Sequence, residues 1–293
     1  LARHAATIIN LKKTIMKTRG IILGALATLA MFSCSGNKAT ASEQLQTDKV
    51  VANEQLQTDS VVYNHSDKRM EIRIVFDYPT AGNQYLKNSI AEYISEQLGA
   101  TYMGSLGNKD SLLQHYVADT KKYLNDNIKE LELDADQMVS WSADIRKDCE
   151  TDKYVTYTCG IYQYLGGAHG MGNMSGMTFR KSDGRRFGSE ILKQSVYGDT
   201  SFNTILKEGM KDYFQEFDGK RMSDDELQSM IVGADCTVDF LPMPKTAPYL
   251  TKEGVMIIYQ PYELFSYASG CVRFIVPFSK IKPYLNAEVL KML

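Results

Sequence analysis

Residues 139–165 constrain this chain more than any other stretch, because their hydrophobic pattern runs with a period of two through two long segments. Val139, Trp141, Ala143 and Ile145 alternate with polar residues, Thr151-Asp152-Lys153 supplies a turn, and residues 154–165 continue as an aromatic-rich strand. Alternation on both sides of a short polar turn writes an antiparallel hairpin with one buried face. Residues 177–180 and 185–187 flank Ser182-Asp183-Gly184 as a second hairpin. Residues 70–76 alternate in the same way until Pro79 stops them. Toward the C-terminus, residues 236–241, 255–260 and 271–276 read as further strands, and Pro277 opens a short helix that runs to Leu285.

Helical spacing fills the intervals. Leu86, Ile90, Tyr93, Ile94 and Leu98 form one stripe ending at Gly99, and Leu112, Tyr116, Leu124 and Ile128 form another behind an Asp110-Ser111 cap. Phe202, Ile205, Leu206, Tyr213 and Phe214 give a third helix, and Ser223 with Glu226 has the spacing of a capping box. Strands grouped in hairpins with helices between them predict an α+β fold, with a mainly antiparallel sheet in two consecutive subdomains, 68–150 and 151–293.

Charge divides the chain differently. Of 33 Lys+Arg and 35 Asp+Glu, residues 1–33 hold Arg3, Lys12, Lys13, Lys17 and Arg19 and no acid, leaving 28 basic against 35 acidic residues beyond them. A body near -7 argues against a nucleic-acid binder, and no nucleic-acid partner is expected. The basic start after Met16 precedes an apolar run over 21–32 and the segment Leu29-Ala-Met-Phe-Ser-Cys34. Twelve residues make a helix of roughly 18 Å, too short for a hydrocarbon core of about 30 Å, so the run reads as a signal-peptide core closed by a lipobox. Phe32 departs from the small residue usual at its position, and Cys34 is the expected acyl acceptor. Residues 34–67 read as a polar tether in which Glu-Gln-Leu-Gln-Thr-Asp at 43–48 recurs at 54–59. An exported lipoprotein follows, held by lipid at the periplasmic face or cell surface, with the outer membrane as the expected location.

Tyr162-x-Tyr164-Leu-Gly166-Gly167-Ala-His169-Gly170, Met177-Thr-Phe179, Gly254-x-x-x-x-Tyr259-Gln-Pro-Tyr262-Glu263 and Val276-Pro-Phe-Ser occur in an order that resembles a known envelope domain. It is the domain ending the ectodomain of the anti-sigma-V factor, similar to a region beside the catalytic domain of some peptidoglycan deacetylases. The resemblance covers residues 155–285 and implies an extracytoplasmic, non-catalytic module that senses or binds a protein or a cell-wall glycan.

Independent inspection finds little chemistry. Beyond the signal only His65, His115 and His169 remain, with no His-x-x-x-His pair, so no metal or other cofactor is expected. No Gly-x-Ser-x-Gly elbow occurs either. Gly166, Gly167 and Gly170 around His169 read as a left-handed or bulged connection with the histidine hydrogen-bonded inside, or as a ligand site. Tyr262 and Glu263, in an aromatic group with Tyr259, Phe265 and Tyr267, read as the lid of a core or as a platform for a sugar. Cys149, Cys159, Cys236 and Cys271 allow three disulfide pairings or remain buried thiols. The leading expectation is a non-enzymatic binding or sensing lipoprotein. The alternatives are a peptidoglycan-modifying hydrolase or deacetylase accessory, and a structural lipoprotein docking on another envelope protein.

Overall fold

The computed structural model describes residues 55–232 and 236–293. The export segment, Cys34 and the first copy of the repeat lie outside them. The chain opens with β1 (Gln57–Ser66) and β2 (Met70–Ala81), then α1 (Gln84–Gln97) and α2 (Lys109–Glu130). A meander follows, β3 (Val139–Glu150), β4 (Tyr154–Tyr164), β5 (Met171–Arg180) and β6 (Arg186–Phe187). These six strands form one sheet in chain order, antiparallel throughout except for β2 beside β3. That parallel pair needs a crossover, which α1 and α2 provide. Their apolar stripes, with Ile90, Ile94, Leu112 and Leu124, close a core over Ile72, Ile74, Ala143 and Phe179 of the sheet.

After β6 come α3 (Thr200–Asp218), α4 (Asp224–Met230) and a three-stranded antiparallel sheet of β7 (Tyr249–Leu250), β8 (Gly254–Tyr259) and β9 (Val272–Pro277). Two short helices, α5 (Phe278–Ile281) and α6 (Ala287–Leu290), complete the fold. Asp199 caps α3 by accepting the Phe202 amide at 2.8 Å, Gly219 ends it in the left-handed region at φ 71°, and the Ser223/Glu226 capping box starts α4 as its spacing predicts. Phe202, Leu206, Met210 and Phe214 of α3 pack on Ile257, Tyr259, Val272 and Phe274 in a second core.

The two cores meet where β7 would otherwise present unpaired backbone. The Thr156 hydroxyl donates to the Leu250 carbonyl at 2.7 Å, the Leu250 amide donates to the Thr178 hydroxyl at 2.8 Å, and Tyr154 donates to the Thr251 carbonyl at 2.8 Å. Buried hydroxyls of β4 and β5 thus satisfy backbone groups that water cannot reach.

The α+β class holds, and the structure moves several boundaries. Residues 57–66, read as tether, form β1, because Leu56 and Val61 are buried in the first core. The division at 150/151 falls in the β3–β4 turn, and that hairpin serves both cores, with Val155 in one and Cys149 and Tyr154 in the other. Residues 236–241 are not a strand: Asn203 holds the Val238 carbonyl and the Leu241 amide, and Gln228 holds the Val238 amide, so side chains of α3 and α4 take the place of a ladder. β2 continues past Pro79 because β3 pairs with it only as far as Phe76, and Pro79 sits opposite the irregularity at Gln57/Thr58.

The four described cysteines are free thiols rather than a disulfide framework. Cys149 and Cys159 belong to different cores, which separates them although they lie on adjacent strands. Burial pushes their thiols up to about 11 and about 12, which disfavours the thiolate.

Candidate functional site

Gly166 and Gly167, at φ 92° and 89°, turn the chain between β4 and β5 through conformations that a side chain disfavours, as the glycine pattern predicts. The turn delivers His169 to the surface rather than into the sheet. That corrects the expectation of an internal histidine, and the reason is its neighbour. The His169 ring lies against Tyr267 with centroids 3.8 Å apart and planes 16° apart. The backbone of Gly170 is the part that is buried.

One carbonyl organises the group. The Gly170 oxygen accepts from Tyr267 Oη at 2.6 Å and from His169 Nδ1 at 3.0 Å, using both lone-pair directions. With Nδ1 donating, Nε2 of the neutral ring is an acceptor, and Tyr262 Oη lies 3.3 Å from it. Tyr162 reaches across from β4 so closely that a Cβ at Gly170 would come within 2.3 Å of its hydroxyl. The glycine therefore makes room for an aromatic ring. Burial raises the Tyr267 phenol pKa, and the adjacent Tyr162 and Tyr262 phenols add to the shift.

Tyr262 holds φ at 66°, where a non-glycine residue costs about 1 kcal/mol. Tyr262 is 54% exposed and Tyr162 is 42% exposed. Tyr262 is tilted 32° from Tyr267 and 36° from His169, at 5.8 and 6.5 Å. His169, Tyr262 and Tyr267 make an aromatic shelf, which Tyr162 adjoins across Gly170. Such a surface can stack a pyranose face and hydrogen-bond its rim.

Of the residues singled out from sequence, the shelf unites His169, Gly170 and Tyr262, with Gly166 and Gly167 as its hinge. Glu263 does not join it: its carboxylate accepts the Gln260 amide at 2.8 Å and the Lys245 amide at 2.5 Å, which fixes the loop carrying Tyr262. Tyr259 and Phe265 turn inward to the second core. Tyr267 comes from the aromatic group singled out in the sequence, and Tyr162 is the member that was not marked there as a site residue. A glycine at the mouth of a strand signals close approach of a large group, which pointed to Tyr162. Among the described residues no three His, Cys, Asp or Glu side chains converge as metal ligands. A separate cavity of about 150 Å³ beside the start of α3 is mainly apolar, and its Asn203 is spent on backbone groups.

Residues 199–279 match the model of the DUF3298 family, described as a protein of unknown function. They run from α3 into α5 and supply Tyr262 and Tyr267, while Tyr162 and His169 precede them. The fold is similar to that of a DUF3298 family member from Bacteroides fragilis NCTC 9343, with a TM-score of 0.65 and 18% identity over 82% of this chain and 98% of that one. It is also similar to a DUF3298 family protein from Pseudomonas aeruginosa PAO1, with a TM-score of 0.56 and 12% identity over 81% of this chain and 98% of that one. No curated protein matches the sequence.

Proposed function

We propose that this chain is an exported, lipid-anchored, non-catalytic envelope module that binds cell-wall glycan on the Tyr162/His169/Tyr262/Tyr267 shelf. The observation that carries the reading is Tyr262, an exposed aromatic ring held at φ 66° by a loop that Glu263 clamps. Backbone strain of that kind persists where the surrounding fold over-determines it, and it clusters at ligand clamps. Aromatic rings tilted by no more than 36° suit the flat apolar face of a sugar.

Cys34 is the proposed acyl acceptor, and two chains at about 0.8 kcal/mol per buried CH₂ give stable attachment at the outer membrane. The motif resemblance to the anti-sigma-V ectodomain fits a sensing role, and the DUF3298 match is compatible with it. A chain beginning at Ser35 contains every residue of both cores and suits a pull-down against purified peptidoglycan, lysozyme and bovine albumin. Retention on peptidoglycan without release of soluble fragments supports the proposal. Retention on lysozyme alone assigns the module to a protein ligand, and fragment release assigns it to a hydrolase; either result overturns the glycan reading.

A further inference from the structure

The body of this protein is acidic, yet one end of it gathers lysines. A cleft of about 350 Å³ between the β3–β4 turn and the C-terminal segment is rimmed by Lys153, Lys252 and Lys282 over a floor of Tyr154, Phe278 and Met292. Asp152 is the single acidic side chain in its lining, which Leu293 completes, and the Asp148 carboxylate lies in the field of Lys252. Lys153 donates to the Lys291 carbonyl at 3.0 Å, and no carboxylate of the described residues forms an ion pair with any of the three lysines. Exposed lysines with no ion-pair partner around an apolar floor present the field and the surface that an anionic amphiphile complements.

The same end of the molecule receives the chain arriving from Cys34. Leu56 donates its amide to Glu150 Oε1 at 2.8 Å and accepts Lys147 Nζ on its carbonyl at 2.9 Å. Lys181, 4% exposed, reaches Glu150 at 2.8 Å and also the Thr151 carbonyl. Glu150 immediately precedes Thr151-Asp152-Lys153, which line the cleft. A buried charge cluster therefore fixes the entry point of the tether at Glu150, three residues before Lys153 of the basic rim.

We infer that this cleft binds the phosphate headgroup of an anionic phospholipid in the membrane that holds the anchor. The inference rests on the reading of Cys34 as the lipidated residue. The 21 residues between Cys34 and Leu56 reach at most roughly 75 Å, so anchoring confines Leu56 to within that distance of the bilayer. At millimolar effective concentrations a weak headgroup site suffices to orient the body, with the lysine end toward the lipid.

The test uses the chain beginning at Ser35, which has no acyl chain, in sedimentation with vesicles of phosphatidylglycerol and phosphatidylethanolamine against vesicles of phosphatidylcholine. Binding to the anionic vesicles only, weakened by salt and reduced at least tenfold in the Lys153→Gln/Lys252→Gln/Lys282→Gln variant, supports the inference. Equal binding by wild type and variant, or no preference for anionic vesicles, overturns it. Saturation by glycerol 3-phosphate without vesicle binding assigns the cleft to a soluble phosphate and overturns the membrane source. Mass spectrometry of the full chain made in its host reads acylation at Cys34 separately, so failure of the anchor is distinguishable from failure of the cleft.

Discussion

His169 lies flat on Tyr267, ring on ring at 3.8 Å, and both donate to the carbonyl of Gly170. Because the pair sits at the surface, His169→Ala removes a stack worth about 1 kcal/mol and little buried area. Thermal unfolding is expected to shift by a few degrees at most, while affinity for soluble peptidoglycan fragments falls about tenfold. A large loss of stability with binding retained would return His169 to an internal structural role.

Tyr262 separates folding from binding more sharply. Tyr262→Gly relieves the positive φ and loses the ring contacts and some unfolded-state order, changes that offset to within about 1 kcal/mol. Denaturant midpoints of variant and wild type are expected to agree within that margin while the variant no longer retains glycan.

Glu150 is expected to be costly to neutralise. Burial opposes its ionisation, but bonds from Lys181, the Leu56 amide and Lys147 outweigh that and hold its carboxyl below the usual range. Glu150→Gln leaves Lys181 buried without its counter-charge, at about 3 kcal/mol. Hydrogen exchange should show β1 protection falling most, since the Leu56 amide keeps only an uncharged acceptor.

Asp224 gives a pH signature. Bonds from Lys207 and Lys211 lower its carboxyl from 3.8 to about 2. A depressed carboxylate stabilises the fold above its unfolded pKa, and that contribution disappears as pH falls from about 4 to about 2. The melting-temperature difference between wild type and Asp224→Asn is therefore expected at pH 6 and to close across that window.

Gly209 tests the second core. In the middle of α3 an alanine gains up to about 1 kcal/mol of helix propensity. Here its Cβ would meet the Phe274 ring at 2.1 Å, and overpacking of about 1–3 kcal/mol outweighs the gain. Gly209→Ala should lower the urea midpoint.

The period-two run over 139–165 and the stripes of α1, α2 and α3 were legible because one buried face repeats along each element. β1 was not, since only Val61 within it is buried and its polar composition imitates a linker. Residues 236–241 misled for the opposite reason: their apolar character is real, but Asn203 and Gln228 use up the backbone groups that a strand would pair. At the site, the glycines and His169 were legible from local pattern. Which of the tyrosines would face outward depends on where the 260–270 loop crosses β5, a tertiary fact that spacing does not encode.

Calorimetric titration of soluble peptidoglycan fragments into wild type and Tyr262→Gly, with reducing ends assayed in the same samples, tests the central claim most directly. The account predicts saturable binding to wild type, its loss in the variant and no new reducing ends. Equal affinity for both proteins, or reducing ends that accumulate with time, would contradict it.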